Sequence, residues 1–139
     1  MAEFKRQRIE TTKLPVAARE KWGAPILNEG FVPFPKRLVR CLGKVMQGPD
    51  ALDELSVILA AIDYKRPNLE REYPSVDYLA FLSGLPVERF KKVVGGLQDR
   101  GYITAEGNDR ALNIEIGGLL NKVLKETAED VWPTQTVGD

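Results

Sequence analysis

Apolar residues recur every three to four positions over most of the chain, and the period shortens to two only once, between Tyr102 and Ile116. Leu38, Cys41, Leu42 and Val45 form a helical stripe directly after Gly30-Phe31-Val32-Pro33-Phe34-Pro35, a run too rich in proline for a helix interior and therefore an extended lead-in. Gly48-Pro49 breaks the chain. Asp50, Asp53 and Glu54 then open a second helix at the end where negative charge favours the dipole. Leu52, Leu55, Leu59 and Ile62 give this helix its predicted inner face, and Val57 and Ile58 widen the apolar arc, marking it as the central helix of the domain. Lys65, Arg66 and Pro67 predict its end near Tyr64.

Ser75 is suited to cap a helix over residues 76–83, which Gly84 stops. After the tight Gly84-Leu85 turn, Pro86 fits the first turn of another helix, whose apolar stripe is Phe90, Val93, Val94 and Leu97 and whose stop is Gly101. Ile103 and Ala105 begin the alternating segment, Gly107-Asn108-Asp109 reads as a turn, and Leu112, Ile114 and Ile116 alternate with Asn113 and Glu115 on the return strand. A last amphipathic helix over residues 119–127 carries Leu119, Leu120, Val123 and Leu124.

Helix, short turn containing glycine, helix, then hairpin is the order of a winged helix-turn-helix, so the expected fold class is mainly α with a small β-hairpin wing. Three segments follow from the punctuation. Residues 1–29 form an N-terminal arm with a short helix over 15–22 stopped by Gly23, residues 30–128 the winged-helix domain, and residues 129–139 a flexible tail holding Trp132.

Composition narrows the function classes. The 139 residues suit one hydrophobic core, and 43% hydrophobic with 29% charged residues is an ordinary globular balance. A formal net charge of +0 leaves no bulk attraction for phosphate, so DNA binding has to rest on local clusters. One cysteine and no histidine remove an intrachain disulfide, the usual zinc spacings and the commonest general base. No Gly-rich phosphate loop is present. A non-enzymatic protein without cofactor or metal is expected. No apolar run approaches the roughly 20 residues of a membrane helix and the charged opening is no signal peptide, so the expected location is the cytoplasm, away from membranes.

Ser75-Val76-Asp77-Tyr78-Leu79-Ala80, Ser83-Gly84-Leu85, and Leu97 ahead of Arg100-Gly101-Tyr102-Ile103 resemble winged-helix regulators and replication proteins. Upstream, Gly30-Phe31-Val32-Pro33-Phe34-Pro35 with Leu38, the apolar helix ending at Tyr64, and Tyr73-Pro74-Ser75 resemble the N-terminal domain of DnaD-type and phage or plasmid replication-initiation proteins. The resemblance spans roughly residues 30–105 and implies a DNA-binding protein of replication or transcription regulation, with double-stranded DNA and a replication or transcription protein as partners. A homodimer is expected on other grounds, because Tyr78, Phe81, Trp22, Trp132 and the stripe Leu119, Leu120, Val123 and Leu124 are more apolar surface than one small domain readily buries.

Candidate contacts can be read on the helices themselves. With Phe90, Val93, Val94 and Leu97 assigned to the core, Arg89, Lys91 and Lys92 fall on or beside the outward face and Gln98 lies one to two turns on. Arginine can pair with a guanine edge, lysine with guanine or phosphate, and glutamine with adenine. Glu88 opposes DNA if it faces the groove. Lys36, Arg37, Arg40 and Lys44 make a basic ridge without an acid among them, fitted to phosphates, to an acidic partner, or simply to water. Tyr78 and Phe81, three apart, and Trp22 in the arm are interface candidates; the alternative for the first two is burial in the core. A winged helix used only for protein contact or oligomerisation is the competing reading.

Overall fold

The computed structural model describes residues 15–28, 34–64 and 73–132. The Gly30–Pro33 part of the lead-in, the loop after Tyr64 as far as residue 72, and the tail beyond residue 132 lie outside the described residues. The chain divides into two compact units, Met1–Pro33 and Phe34–Asp139, four residues later than the expected boundary after residue 29.

In the first unit, α1 (Val16–Trp22) follows Pro15 and stops at Gly23, where φ of +83° demands glycine, and the single turn α2 (Ala24–Leu27) follows.

The second unit is a winged helix-turn-helix, mainly helical with one small antiparallel hairpin. Its elements are α3 (Lys36–Val45), α4 (Ala51–Tyr64), α5 (Val76–Ser83), α6 (Val87–Asp99), β1 (Thr104–Asn108), β2 (Ala111–Glu115) and α7 (Gly117–Glu126). Helices α4, α5 and α6 pack on one another, β1 leans on α6, and α7 returns against α3. Phe90, Ile58, Leu79, Leu97, Ile103, Leu119, Val57 and Cys41 are the fully enclosed side chains at the centre.

Local chemistry sets the joints. The Ser75 hydroxyl accepts the Tyr78 amide at 3.1 Å and caps α5. Gly84, left-handed at φ +71°, lets the Leu85 amide reach back to the Ala80 carbonyl at 3.0 Å, which turns the chain into α6. The same closure ends α6, with the Tyr102 amide donating to the Leu97 carbonyl across Gly101. In the hairpin Thr104 faces Glu115 and Asn108 faces Ala111, leaving Asp109-Arg110 as a two-residue turn. Within β2 the Leu112 amide donates to the Pro74 carbonyl, and the Val76 amide donates to the Asp109 carbonyl of the turn, both at 2.9 Å. The segment entering α5 thus clips onto the wing.

Two helical stripes differ from the periodicity reading. On α4 the buried positions are Glu54, Val57, Ile58, Ala60 and Ala61, of which Glu54, Val57, Ile58 and Ala61 form an i, i+3, i+4, i+7 set, whereas Leu52 is 73% exposed and Leu55, Leu59 and Ile62 are only partly covered. The helix is apolar on nearly every side, so hydropathy could not choose the phase, and the buried acid at Glu54 argued for the wrong one. On α7, Leu119 and Val123 are buried while Leu120 and Leu124 face outward.

Candidate nucleic-acid interface

Helix α6 begins at Val87, with Pro86 just before its first turn, and buries Phe90, Val93, Val94 and Leu97. That phase leaves Glu88, Lys91, Lys92, Gly95 and Asp99 exposed on the opposite side, the face a second helix of a helix-turn-helix offers to a major groove. Lys91 reaches the wing: its Nζ lies 3.0 Å from Asp109 Oδ2, so the tip of the hairpin stands beside the outward face of α6. The Asp109 carboxylate beside it holds the Lys91 ammonium above its usual range. At the same tip the exposed Arg110 is fixed through its backbone, its amide donating to Asn108 Oδ1 at 2.9 Å. Among the described residues no acid is bonded to Lys92 or Arg110.

Arg89 is turned away from this face. Its Nε donates to Asp53 at 2.8 Å and its second guanidinium nitrogen to Asp50 at 2.6 Å, which ties the start of α6 to the start of α4 and holds the guanidinium still more firmly protonated. Gln98 is also occupied, since its side-chain carbonyl accepts the Ala105 amide at 2.8 Å. The exposed Gly95 and the neighbouring Gly96 leave open space on the helix surface, where an added methyl group would meet nothing within 4 Å.

The basic ridge on α3 has partners from 80 to 90 residues away. Arg37 Nε donates to Thr127 Oγ1 at 2.8 Å, Arg40 Nε to Asp130 at 3.2 Å, and Lys44 Nζ both to Asp130 at 2.6 Å and to the Glu126 carbonyl at 2.7 Å. Hydrogen bonding first from Lys44 and then from Arg40 pulls the Asp130 carboxyl below its usual range. Lys36 is exposed at the start of the ridge.

The interface candidates separate by position. Phe81 is 69% exposed and stacks on the half-buried Tyr78, ring centroids 6.2 Å apart, so Phe81 is not a core residue. Trp22, in the first unit, is exposed with the Lys21 ammonium 5.4 Å from its ring. A groove of 420 Å³ between α3 and α4 is lined by apolar groups, among them Phe34, Val39, Met46 and the exposed Leu52.

Sequence reasoning singled out the cations and missed their acids, Asp50, Asp53, Asp109 and Asp130, together with the wing-tip Arg110. The hairpin turn was the available signal for Arg110, because the residue after Asn108-Asp109 lies at the tip of the wing. Among the described residues no group of three or more acidic, cysteine or histidine side chains is placed to hold a metal ion, and no helix is long and apolar enough to cross a membrane. Compared with family models, curated proteins and solved structures, the chain matches none.

Proposed function

We propose that the chain binds double-stranded DNA through the outward face of α6 and the adjoining wing, as a non-enzymatic protein of replication or transcription regulation. The observation that supports this reading is the Lys91–Asp109 pair, which brings the wing tip, with the exposed Arg110 next in the chain, to the helix face that carries the exposed Lys91 and Lys92. A helix in the major groove and a wing beside it would bring these three cations to phosphates, where counterion release favours binding. Arg89 and Gln98 serve the fold and not the groove.

Binding to random duplex DNA, followed by fluorescence anisotropy between roughly 50 and 200 mM salt, tests this, because each phosphate contact contributes about 0.9 to the slope of log affinity against log salt. Three contacts per chain give a slope of about −3. Lys91→Ala with Lys92→Ala should flatten it by about two units. Absence of binding at the lowest salt would sink the reading.

The exposed Phe81 on Tyr78 favours a second reading, in which α5 holds a second copy of the chain or another protein. Sedimentation equilibrium tests self-association through this face, which a mass well above the 15.5 kDa of one chain, lost in Phe81→Glu, would support; a dimer that does not bind duplex at the lowest salt would favour this reading over the first.

A further inference from the structure

We propose that the basic ridge of α3 is a second phosphate-binding surface for duplex DNA, covered in the free protein by residues 126–130, whose Asp130 carboxylate stands where a backbone phosphate would bind. The proposal rests on the DNA-binding reading but concerns a different surface.

Arg37, Arg40 and Lys44 all reach into this one short segment, yet among the described residues Asp130 supplies the only carboxylate bonded to them. The other acceptors are neutral, the Thr127 hydroxyl and the Glu126 carbonyl at the end of α7. Arg40 and Lys44 thus depend on one shared carboxylate, and the exposed Lys36 adds a further cation at the start of the same helix. The two oxygens of Asp130 are shared between Arg40 and Lys44, 3.2 and 2.6 Å away, which is how two non-bridging oxygens of a phosphodiester would be held.

The cover can be displaced. Arg40 and Lys44 keep 46% and 42% of their side-chain surface in water, so their pairs with Asp130 belong to the weak, salt-screened class. Buried contacts anchor the first two residues of the cover: Leu119 and Val123 sit in the core just before them, and the buried Thr127 hydroxyl donates to the Val123 carbonyl at 2.6 Å. Helix α7 can therefore stay in place while residues 128–130 move off the ridge. A cover of this kind would make duplex binding weaker and more selective than the cation count of α3 allows.

The test is the full chain with Asp130→Asn, measured on a random duplex over a salt series beside the unaltered protein. The expected result is at least several-fold tighter binding and a slope steeper by about two units, one each for Arg40 and Lys44. Adding Arg40→Ala and Lys44→Ala should erase the gain, and the gain should survive in Lys91→Ala with Lys92→Ala, since the surfaces are separate. Circular dichroism establishes that each variant is folded. As a measurement without substitution, the Asp130 carboxyl carbon signal of the natural chain should shift as duplex is added. Unchanged affinity and slope in Asp130→Asn, with normal binding by the natural chain, would overturn the cover and leave the α6 reading standing. Binding by neither protein would overturn both.

Discussion

The side-chain carbonyl of Gln98 accepts the backbone amide of Ala105 at 2.8 Å and thereby fastens the last turn of α6 to the first strand of the wing. The bond is exposed, so water can replace it in the folded state, and Gln98→Ala should cost only about 0.5 to 1.5 kcal/mol. Its functional effect should be larger than that, because a loosened wing misplaces Arg110. Affinity should fall to the same degree on all duplex sequences, with faster hydrogen exchange at the Ala105 amide. A loss confined to sites with adenine at one position would instead make Gln98 a reader of bases.

Gly118 is required by a close approach and not by its dihedral angles. A methyl group there would overlap the Gly101 carbonyl oxygen, at the point where the Leu119 amide donates to the Tyr102 carbonyl at 2.8 Å. The overlapped atom is backbone in the turn that closes α6, so it cannot swing aside as a side chain could. Gly118→Ala should lower stability by about 1 to 3 kcal/mol in urea unfolding, the usual cost of overpacking. Gly95→Ala, with open space around it, is the control and should be neutral or slightly stabilising.

Leu97 and Leu52 make a matched pair of substitutions. Leu97 is fully buried and its replacement by Ala should cost roughly 2 to 5 kcal/mol, while Leu52 is 73% exposed and should change stability by less than about 0.5 kcal/mol. Equal effects at the two positions would mean that the phase of α4 is wrong.

That pair also shows which parts of the architecture could be read from residues alone. On α6 the apolar positions alternate with charged ones, so the stripe Phe90, Val93, Val94, Leu97 had one possible phase and it is the buried face. Caps and stops at Ser75, Gly84 and Gly101 were equally legible, since each depends on its nearest neighbours. On α4 the deciding residue was Glu54, which is buried because Arg100 comes back to it from 46 positions along the chain. The candidate site was half legible for the same reason. Cation placement follows from helix period, but whether a cation is spent inside the fold depends on acids that tertiary structure brings, as Asp53 to Arg89 and Asp130 to Lys44.

Cys41 and Tyr102 predict the alkaline limb of stability. Burial foremost pushes the Cys41 thiol above its ordinary 9.0 and the Tyr102 hydroxyl above its ordinary 10.0. Both groups then ionise more readily in the unfolded chain than in the native one. Their contribution is fully present below pH 9.0, the ordinary thiol value, and is lost as pH rises through the raised native values. The urea midpoint should therefore hold up to that point and fall above it. In native protein a thiol reagent should modify Cys41 only as fast as the fold opens, and rapid labelling at neutral pH would contradict its burial.

Arg89 and Lys92 lie three residues apart on α6 and should fail in opposite ways. Arg89 is held by Asp50 just before α4 and Asp53 in its first turn, at 2.6 and 2.8 Å, while Lys92 projects from the outward face. Arg89→Ala leaves Asp50 and Asp53 facing each other without their cation, so the urea midpoint should drop, and pairing with Asp50 or Asp53 replaced by Ala should restore part of the loss. Once the folded fraction is corrected for, its salt slope on duplex DNA should match the natural chain. Lys92→Ala should leave the urea midpoint unchanged and take about one unit off the slope, the signature of a single phosphate contact. Were Arg89→Ala to flatten the slope as much as Lys92→Ala does, the guanidinium would have to leave its two acids for phosphate on binding, and α6 would engage DNA by a different face.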